Sequence, residues 1–300
     1  MVSVGDALSQ AAAAMPPGGR MCLAQIEACL GLAAPRCGLS RRGLWRARLS
    51  MGQARQLWRW ARHSEGMSVA TLRLLWQAET LLNHESYFFR APASLHGLAA
   101  ALAAETAGAP ARPWRLWSAG CATGEEAYTL AMIFGPAAVQ RGCALTVLGT
   151  DCSPLCIWTA HTAAYRGSSL RALTAAQHTL FVRHRDHWQP RQRWRRHCTF
   201  RCHNLAASAQ WPAPASLDAV VCRNVLMYLR PPVRSQVVER LIACLRPGGY
   251  LCVGAQEVWL VQSDAVRSER LDGGDFVFRR ISRSADPMAP TRRLARSGTG

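Results

Sequence analysis

The sequence predicts an α/β fold with a ligand site at the carboxyl ends of parallel strands. An apolar run, a loop with two glycines and an amphipathic helix follow one another within 114–132. A second apolar run, 145–150, ends at Asp151, and a third, 218–222, ends at Arg223. Open parallel sheets bind ligands beyond the carboxyl ends of their strands, so we expect these polar residues to meet at one edge.

The glycine loop favours a cationic ligand over a phosphate. Gly120 and Gly124 lack a Cβ, which lets a ligand approach the backbone closely. Glu125 and Glu126 begin the helix, where a phosphate site would instead carry Lys and Ser or Thr after the second glycine. Their carboxylates suit a ligand such as S-adenosylmethionine, with its α-amino group and sulfonium. The pattern alone is also compatible with an ordinary strand-to-helix turn.

The composition indicates a globular protein with a basic surface. Hydrophobic residues make up 49% of the 300 positions, and the formal net charge is +18. All 36 basic side chains are Arg, and this bias across the whole chain weakens the argument for a polyanionic partner. A basic surface serves an acidic protein substrate equally well.

The cysteines do not indicate a metal site. The 12 cysteines form no C-x-x-C pair, and the pairs spaced by four lack matching histidines, so we expect no bound metal. The chain shows no signal peptide and no apolar run near 18 residues. These features predict a cytoplasmic protein with reduced thiols and no membrane insertion.

The chain divides into regions of different character. The pattern predicts a poorly ordered lead-in over 1–20 and a basic N-terminal helical domain over 21–82. The arginines of that domain are either an ordinary solvated face or a docking surface for an acidic helix. Residues 179–203 break the α/β rhythm and interleave Trp with Arg, a pattern that is compatible with single-stranded nucleic acid binding. The tail, 283–300, is predicted to be disordered.

Two motifs resemble the CheR-type chemotaxis receptor methyltransferases. The segment 83–90, Asn-His-Glu-Ser-Tyr-Phe-Phe-Arg, is similar to the family's Thr/Ser-x-Phe-Phe-Arg motif. The segment 117–128 is similar to its Trp-Ser-Ala-x-x-Ser/Ala-Thr-Gly-Glu-Glu-x-Tyr motif. His84 and Ser86 depart from the Asn and Thr usual in the family.

Three further motifs follow in the family's order. Asn204-Leu205 matches an Asn-Leu pair, and 218–228 resembles Phe-Asp-x-Ile-x-Cys-Arg-Asn-Val-x-Ile-Tyr. Residues 245–251 show the Leu-x-Pro-Gly-Gly-x-Leu pattern, and 255–257, Ala-Gln-Glu, stand where Ser-Glu commonly follows. The resemblance therefore covers about 83–281.

The resemblance implies a Rossmann-like class I S-adenosylmethionine-dependent methyltransferase fold, with an N-terminal helical domain. It also implies a small inserted antiparallel β subdomain at about 179–203, which we prefer over nucleic acid binding by that segment. The implied reaction transfers the sulfonium methyl of S-adenosylmethionine to glutamate carboxylates on the cytoplasmic signalling domain of a chemoreceptor. It gives glutamyl methyl esters and S-adenosylhomocysteine. We expect a monomer that does not bind nucleic acid.

The resemblance also implies a set of site residues. Arg90 orients the incoming carboxylate or the cofactor, and Tyr228 lines the transfer site. Phe88 and Phe89 should anchor the backbone of Arg90 in the core. The implied cofactor-binding residues are His84, Ser86, Arg90, Gly120, Glu126, Asp151, Asn204, Leu205, Arg223 and Asn224.

Within this set, the roles differ. Glu126 is assigned to the methionine amino end, Asp151 to the ribose and Asn204 to the adenine edge, with Leu205 on the ring. Arg223 and Asn224 complete the adenosyl pocket.

Two alternatives from other classes stay open. One is an RNA methyltransferase, motivated by the net charge, although an amino-group methylase would usually carry Asn/Asp-Pro-Pro-Tyr/Phe where this chain has Cys-Arg-Asn-Val. The other is a non-catalytic module that binds S-adenosylmethionine or S-adenosylhomocysteine and signals through a partner. It is motivated by His84 and Ser86.

Overall fold

The computed structural model describes residues 84–108, 110–207, 210–271 and 275–281. The predicted lead-in, the N-terminal helical domain and the C-terminal tail lie outside these ranges. The strands are β1 (Trp114–Ala119), β2 (Leu145–Asp151), β3 (Phe181–Arg183), β4 (Trp188–Pro190), β5 (Cys198–Cys202), β6 (Leu217–Cys222), β7 (Leu245–Val253), β8 (Val266–Arg270) and β9 (Phe276–Arg280). The helices are α1 (Pro92–Glu105), α2 (Glu125–Gln140), α3 (Pro154–Thr162), α4 (Ala175–His178), α5 (Gln192–Arg195) and α6 (Pro231–Cys244). Short 3₁₀ turns cover Gly167–Leu170, Leu226–Tyr228 and Ala255–Leu260.

A seven-stranded sheet organises the fold, with the strand order β5-β2-β1-β6-β7-β9-β8. The strands from β5 to β7 are parallel, whereas β9 runs antiparallel to both β7 and β8. The chain moves outward from β1 to β2 and β5, and then returns to the other side of β1 for β6. This reversal of strand order leaves a crevice at the carboxyl ends of β1 and β6, where open α/β sheets bind their ligands.

Both faces of the sheet are covered, which explains the nearly continuous apolar runs in its central strands. Side chains alternate between the faces along β1: Leu116 packs into the core under α1, α2 and α3, and Trp117 packs into the core under α6. All six residues of β6 are buried. The central strands therefore form a rigid support for the polar residues at their carboxyl ends.

The predicted β subdomain is smaller than the sequence indicated. The antiparallel hairpin consists of β3 and β4, which pair from Phe181 to Pro190. Residues 198–202 form β5, which pairs in parallel with β2 in the main sheet. The predicted insert of 179–203 therefore extends too far, because its last strand belongs to the main sheet. Within the described ranges, no helix is long and apolar enough to cross a membrane.

Candidate active site

The glycine loop between β1 and α2 is shaped by close packing against the protein itself. Gly120 and Gly124 have φ angles of +81° and +94°, which residues with a Cβ rarely adopt. A Cβ on Gly120 would lie 2.4 Å from the side chain of Val225, and one on Gly124 would lie 2.6 Å from the Cβ of Ala160. Any side chain at these positions would displace the loop from the neighbouring elements.

Asp151 fastens this loop to the end of β2. One carboxylate oxygen accepts a hydrogen bond from the backbone N–H of Ala122 at 2.9 Å, and the other accepts from the backbone N–H of Ser153 at 2.9 Å. Each carboxylate oxygen can accept more than one hydrogen bond. Asp151 therefore orders the glycine loop at the carboxyl end of β2.

Glu126 and Arg223 form a largely buried ion pair across the switch point. The Arg223 Nε donates to a Glu126 carboxylate oxygen at 2.8 Å, and the Ser118 hydroxyl donates to the other oxygen at 2.7 Å. The two charged side chains are 6% and 13% exposed. Burial lowers the pKa of the Arg223 guanidinium, but the Glu126 carboxylate together with other neighbouring groups more than offsets burial, so the pKa is raised. Two residues that the sequence assigned to different parts of the cofactor are thus bonded to each other.

Arg90 lies on a strained backbone that is held from several sides. The residues on either side of it, Phe89 and Ala91, have φ angles of 56° and 43°, in the left-handed region. The backbone N–H of Phe89 donates to the Thr129 hydroxyl at 3.1 Å, and Arg223 donates to the Ala91 carbonyl at 3.1 Å. These contacts fix the direction in which the Arg90 side chain leaves the backbone.

The two aromatic residues before Arg90 anchor it as predicted. Phe88 is fully buried, with ring centroids 4.7 Å from those of Tyr165 and Phe181 in edge-to-face contacts. Phe89 is 6% exposed. The Arg90 guanidinium donates to the Glu85 carbonyl at 3.0 Å.

A neighbouring polar cleft of about 340 Å³ contains His84 and Ser86. The Nδ1 of His84 lies 3.0 Å from the Cys156 Sγ. Ser86 hydrogen-bonds to Glu125, whose carboxylate is 1% exposed and also accepts from the hydroxyls of Thr123 and Ser169. Burial raises the pKa of Glu125.

The sequence singled out the Glu125 carboxylate, with that of Glu126, as suited to a cationic ligand, but it did not predict the hydroxyl partners of Glu125. Thr123 is a neighbour in the chain, whereas Ser86 and Ser169 come from distant segments.

The end of β5 brings Asn204 and Leu205 next to Asp151. Cys202 pairs with Asp151 in the sheet, and the N–H of His203 donates to the Asp151 carbonyl at 2.9 Å. The Asn204 side-chain oxygen accepts from the N–H of Ala206 at 2.9 Å, which stabilises the turn. Leu205 is buried.

Glu257 holds the turn that follows β6, and the sequence did not predict this role. Its buried carboxylate accepts from the backbone N–H groups of Asn224, Met227 and Gly254 at 2.6, 3.2 and 3.1 Å. Asn224 has a φ of 60°, which this network stabilises. The sequence did hold a signal for this role, because the Glu of 255–257 stands where the family has the Glu of its Ser-Glu pair.

The structure therefore groups the predicted residues in two adjacent places. Those at the ends of β1, β2, β5 and β6 are Gly120, Glu126, Asp151, Asn204, Leu205, Arg223, Asn224 and Tyr228. His84 and Ser86 line the polar cleft, and Arg90 is joined to the first group through Ala91 and Arg223. No group of three or more His, Cys, Asp or Glu in the described residues could hold a metal ion.

Residues 84–272 match the family described as "CheR methyltransferase, SAM binding domain". The chain belongs to this family. The matched region contains every predicted site residue, and the family description names the predicted cofactor, S-adenosylmethionine. Together with the parallel sheet and its switch point, the match confirms the Rossmann-like class I methyltransferase fold.

Relatives from several bacteria are similar to this chain. A chemotaxis protein methyltransferase of Klebsiella aerogenes is 33% identical over 149 residues, 48% of this chain and 51% of that protein. The probable biofilm formation methyltransferase WspC of Pseudomonas putida is 36% identical over 219 residues, 70% of this chain and 50% of that protein. Chemotaxis protein methyltransferase 1 of Vibrio cholerae is 29% identical over 214 residues, 69% of this chain and 74% of that protein. The chain spans about half the length of the Klebsiella and Pseudomonas relatives.

The residues at the sheet edge fit S-adenosylmethionine. The Asp151 carboxylate is the kind of acceptor that ribose hydroxyls bond to, and the amide of Asn204 beside the buried Leu205 suits an adenine ring. The acidic residues at the start of α2 would repel a phosphate but tolerate a cationic sulfonium. The donor set therefore matches a nucleoside that carries positive charge and no phosphate.

Proposed function

We propose that this protein methylates glutamate side-chain carboxylates on the cytoplasmic signalling domain of a chemoreceptor. S-Adenosylmethionine is the methyl donor, and the products are glutamyl methyl esters and S-adenosylhomocysteine. The observation that carries the proposal is the family match over 84–272, which contains all the predicted site residues. The similarity to chemotaxis protein methyltransferases supports the substrate class.

The proposed cofactor contacts follow the donor set at the sheet edge. Asp151 accepts from the ribose hydroxyls, and Asn204 with Leu205 holds the adenine. Both oxygens of Glu126 already accept one hydrogen bond, and each has acceptor capacity left for the amino group of the methionine end. Arg223 orients the Glu126 carboxylate through its Nε hydrogen bond, so we assign Arg223 a positioning role.

The bound cofactor supplies a methyl group activated on a sulfonium. The attacking carboxylate is ionised at neutral pH, so the protein needs no strong general base. Its contribution is to orient the reactants and exclude water. The Arg90 guanidinium, on its braced backbone, is suited to hold a carboxylate in one plane, and Tyr228 lines the same edge.

The decisive experiment measures transfer of labelled methyl groups to purified chemoreceptor signalling domains, followed by mild alkali. Glutamyl methyl esters release volatile methanol under alkali, whereas N-methyl and ring methyl groups do not. A receptor domain with its methylatable glutamates changed to alanine is the matched control. Alkali-stable label, or transfer to RNA instead of the receptor, would contradict the proposal.

A further inference from the structure

An exposed tryptophan lies on the edge of the sheet that carries the candidate active site. The indole of Trp259 is 68% exposed, and it is the largest exposed apolar side chain in the described residues. It belongs to the 3₁₀ turn Ala255–Leu260, which follows the carboxyl end of β7. Tryptophan is enriched where proteins bind other proteins, because it buries a large area at a small entropic cost.

The indole is held in place before any partner binds. Its Nε1 donates to the Gln256 carbonyl at 2.8 Å, so the ring has a fixed orientation. The Arg234 guanidinium lies 6.0 Å from the ring centroid. An arginine beside an aromatic face can still bond to a carboxylate in its own plane, so the pair presents an apolar face next to a carboxylate-binding group.

The active-site turn and the Trp259 turn are joined by Glu257. Its carboxylate accepts from Asn224 and Met227, one residue before Tyr228, and Trp259 follows two residues later. The two 3₁₀ turns pack against each other. A partner seated on Trp259 would therefore lie beside the residue proposed to line the transfer site.

The start of α6 carries positive charge, which is unfavourable at the N-terminus of an isolated helix. Its N-cap residue is Arg230, Arg234 lies in its first turn, and that turn contains no acidic residue. Positive charge at a helix N-terminus adds to the positive end of the macrodipole. This concentration of positive potential suits an anionic partner, and it contrasts with α2, which begins with Glu125 and Glu126.

We propose that Trp259 and Arg234 form a docking surface for an acidic helical segment of the protein substrate, next to the glutamate that is methylated. The inference rests on the proposed function and extends it to a second contact with the substrate. One indole with an arginine fits an apolar residue and a carboxylate on the same helix face. Single-stranded nucleic acid would instead stack successive bases on a row of aromatic side chains.

The test compares steady-state methylation of a purified chemoreceptor signalling domain by four variants. Trp259→Ala and Arg234→Ser should each raise the KM for the receptor domain about 5–20-fold, the loss typical of an interface anchor. Their kcat and their affinity for S-adenosylhomocysteine should match those of the wild type. The controls are Val139→Ala and Arg115→Ser. Val139 is 73% exposed near the end of α2, and Arg115 is exposed near the start of β1. Both controls should leave the KM unchanged.

The outcomes separate this inference from the proposed function. If the wild-type protein labels no receptor domain, both the proposed function and the proposed docking surface are wrong. If the wild type labels the receptor and Trp259→Ala keeps the wild-type KM, the docking surface alone is wrong. Binding to RNA oligonucleotides that weakens steeply with salt and is lost in Trp259→Ala would overturn the inference in favour of a nucleic-acid surface.

Discussion

His203 lies at the end of β5, directly before Asn204, with its ring enclosed by two indoles. It is 4% exposed, and its ring centroid lies 5.9 Å from that of Trp117 and 5.3 Å from that of Trp211. Burial lowers the pKa of this imidazole to about 4, and the nearby charge of Arg201 acts in the same direction. The folded protein therefore holds His203 neutral at pH values where an unfolded chain would protonate it.

The sign and size of the effect follow from the two pKa values. Above about pH 6.5 neither the folded nor the unfolded protein binds a proton at His203, so this residue does not lower the free energy of unfolding there. Between about pH 6.5 and about pH 4 the unfolded state binds the proton and the folded state does not, so the free energy of unfolding falls as the pH falls. A pKa difference of about 2.5 units, at about 1.4 kcal/mol per unit, gives a loss of about 3 kcal/mol.

The assay is urea unfolding followed by tryptophan fluorescence, at about pH 7 and about pH 4.5, for the wild type and for His203→Phe. The phenylalanine keeps a ring between the indoles but cannot bind a proton. Other groups, such as Glu125, titrate in both proteins and cancel in the comparison. On lowering the pH, the wild type should lose about 2–3 kcal/mol more than the variant. Equal losses would refute the claim that His203 is held neutral by burial.

The remaining predictions concern the candidate active site. Arg90→Ala should lower the methyl-transfer rate by about 100-fold or more with the fold intact, and Arg90→Lys should recover little; normal turnover with a lowered melting temperature would show a structural role instead. Asp151→Ala should weaken S-adenosylhomocysteine binding by about 1–3 kcal/mol in calorimetric titration; an unchanged affinity would show that Asp151 does not bind the ribose. Glu126→Gln should destabilise the fold by about 3–5 kcal/mol because Arg223 stays buried without a counter-charge, and an unfolding midpoint equal to that of the wild type would argue against the pair.

The sequence alone determined the main strands, the edge at which polar residues collect, and the anchoring of Arg90. These features depend on local signals. Apolar runs predict β1, β2 and β6, the polar residues come directly after them, and Phe88 and Phe89 precede Arg90 in the chain. Because the carboxyl ends of parallel strands share one edge, the position of Asp151 at the end of β2 was enough to predict that it lies at that edge.

Only the tertiary structure decided which side chains bind each other at that edge. Glu126 and Arg223 are 97 positions apart, and their pairing depends on β6 returning beside β1. Glu257 reaches Asn224 from the turn after β7. The end of the predicted insert was wrong for the same reason. Residues 198–202 alternate in polarity as any half-exposed strand does, and only their pairing with β2 makes them part of the main sheet. Hydrophobic periodicity describes one segment against solvent and core, and it carries no information about which distant segment will lie beside it.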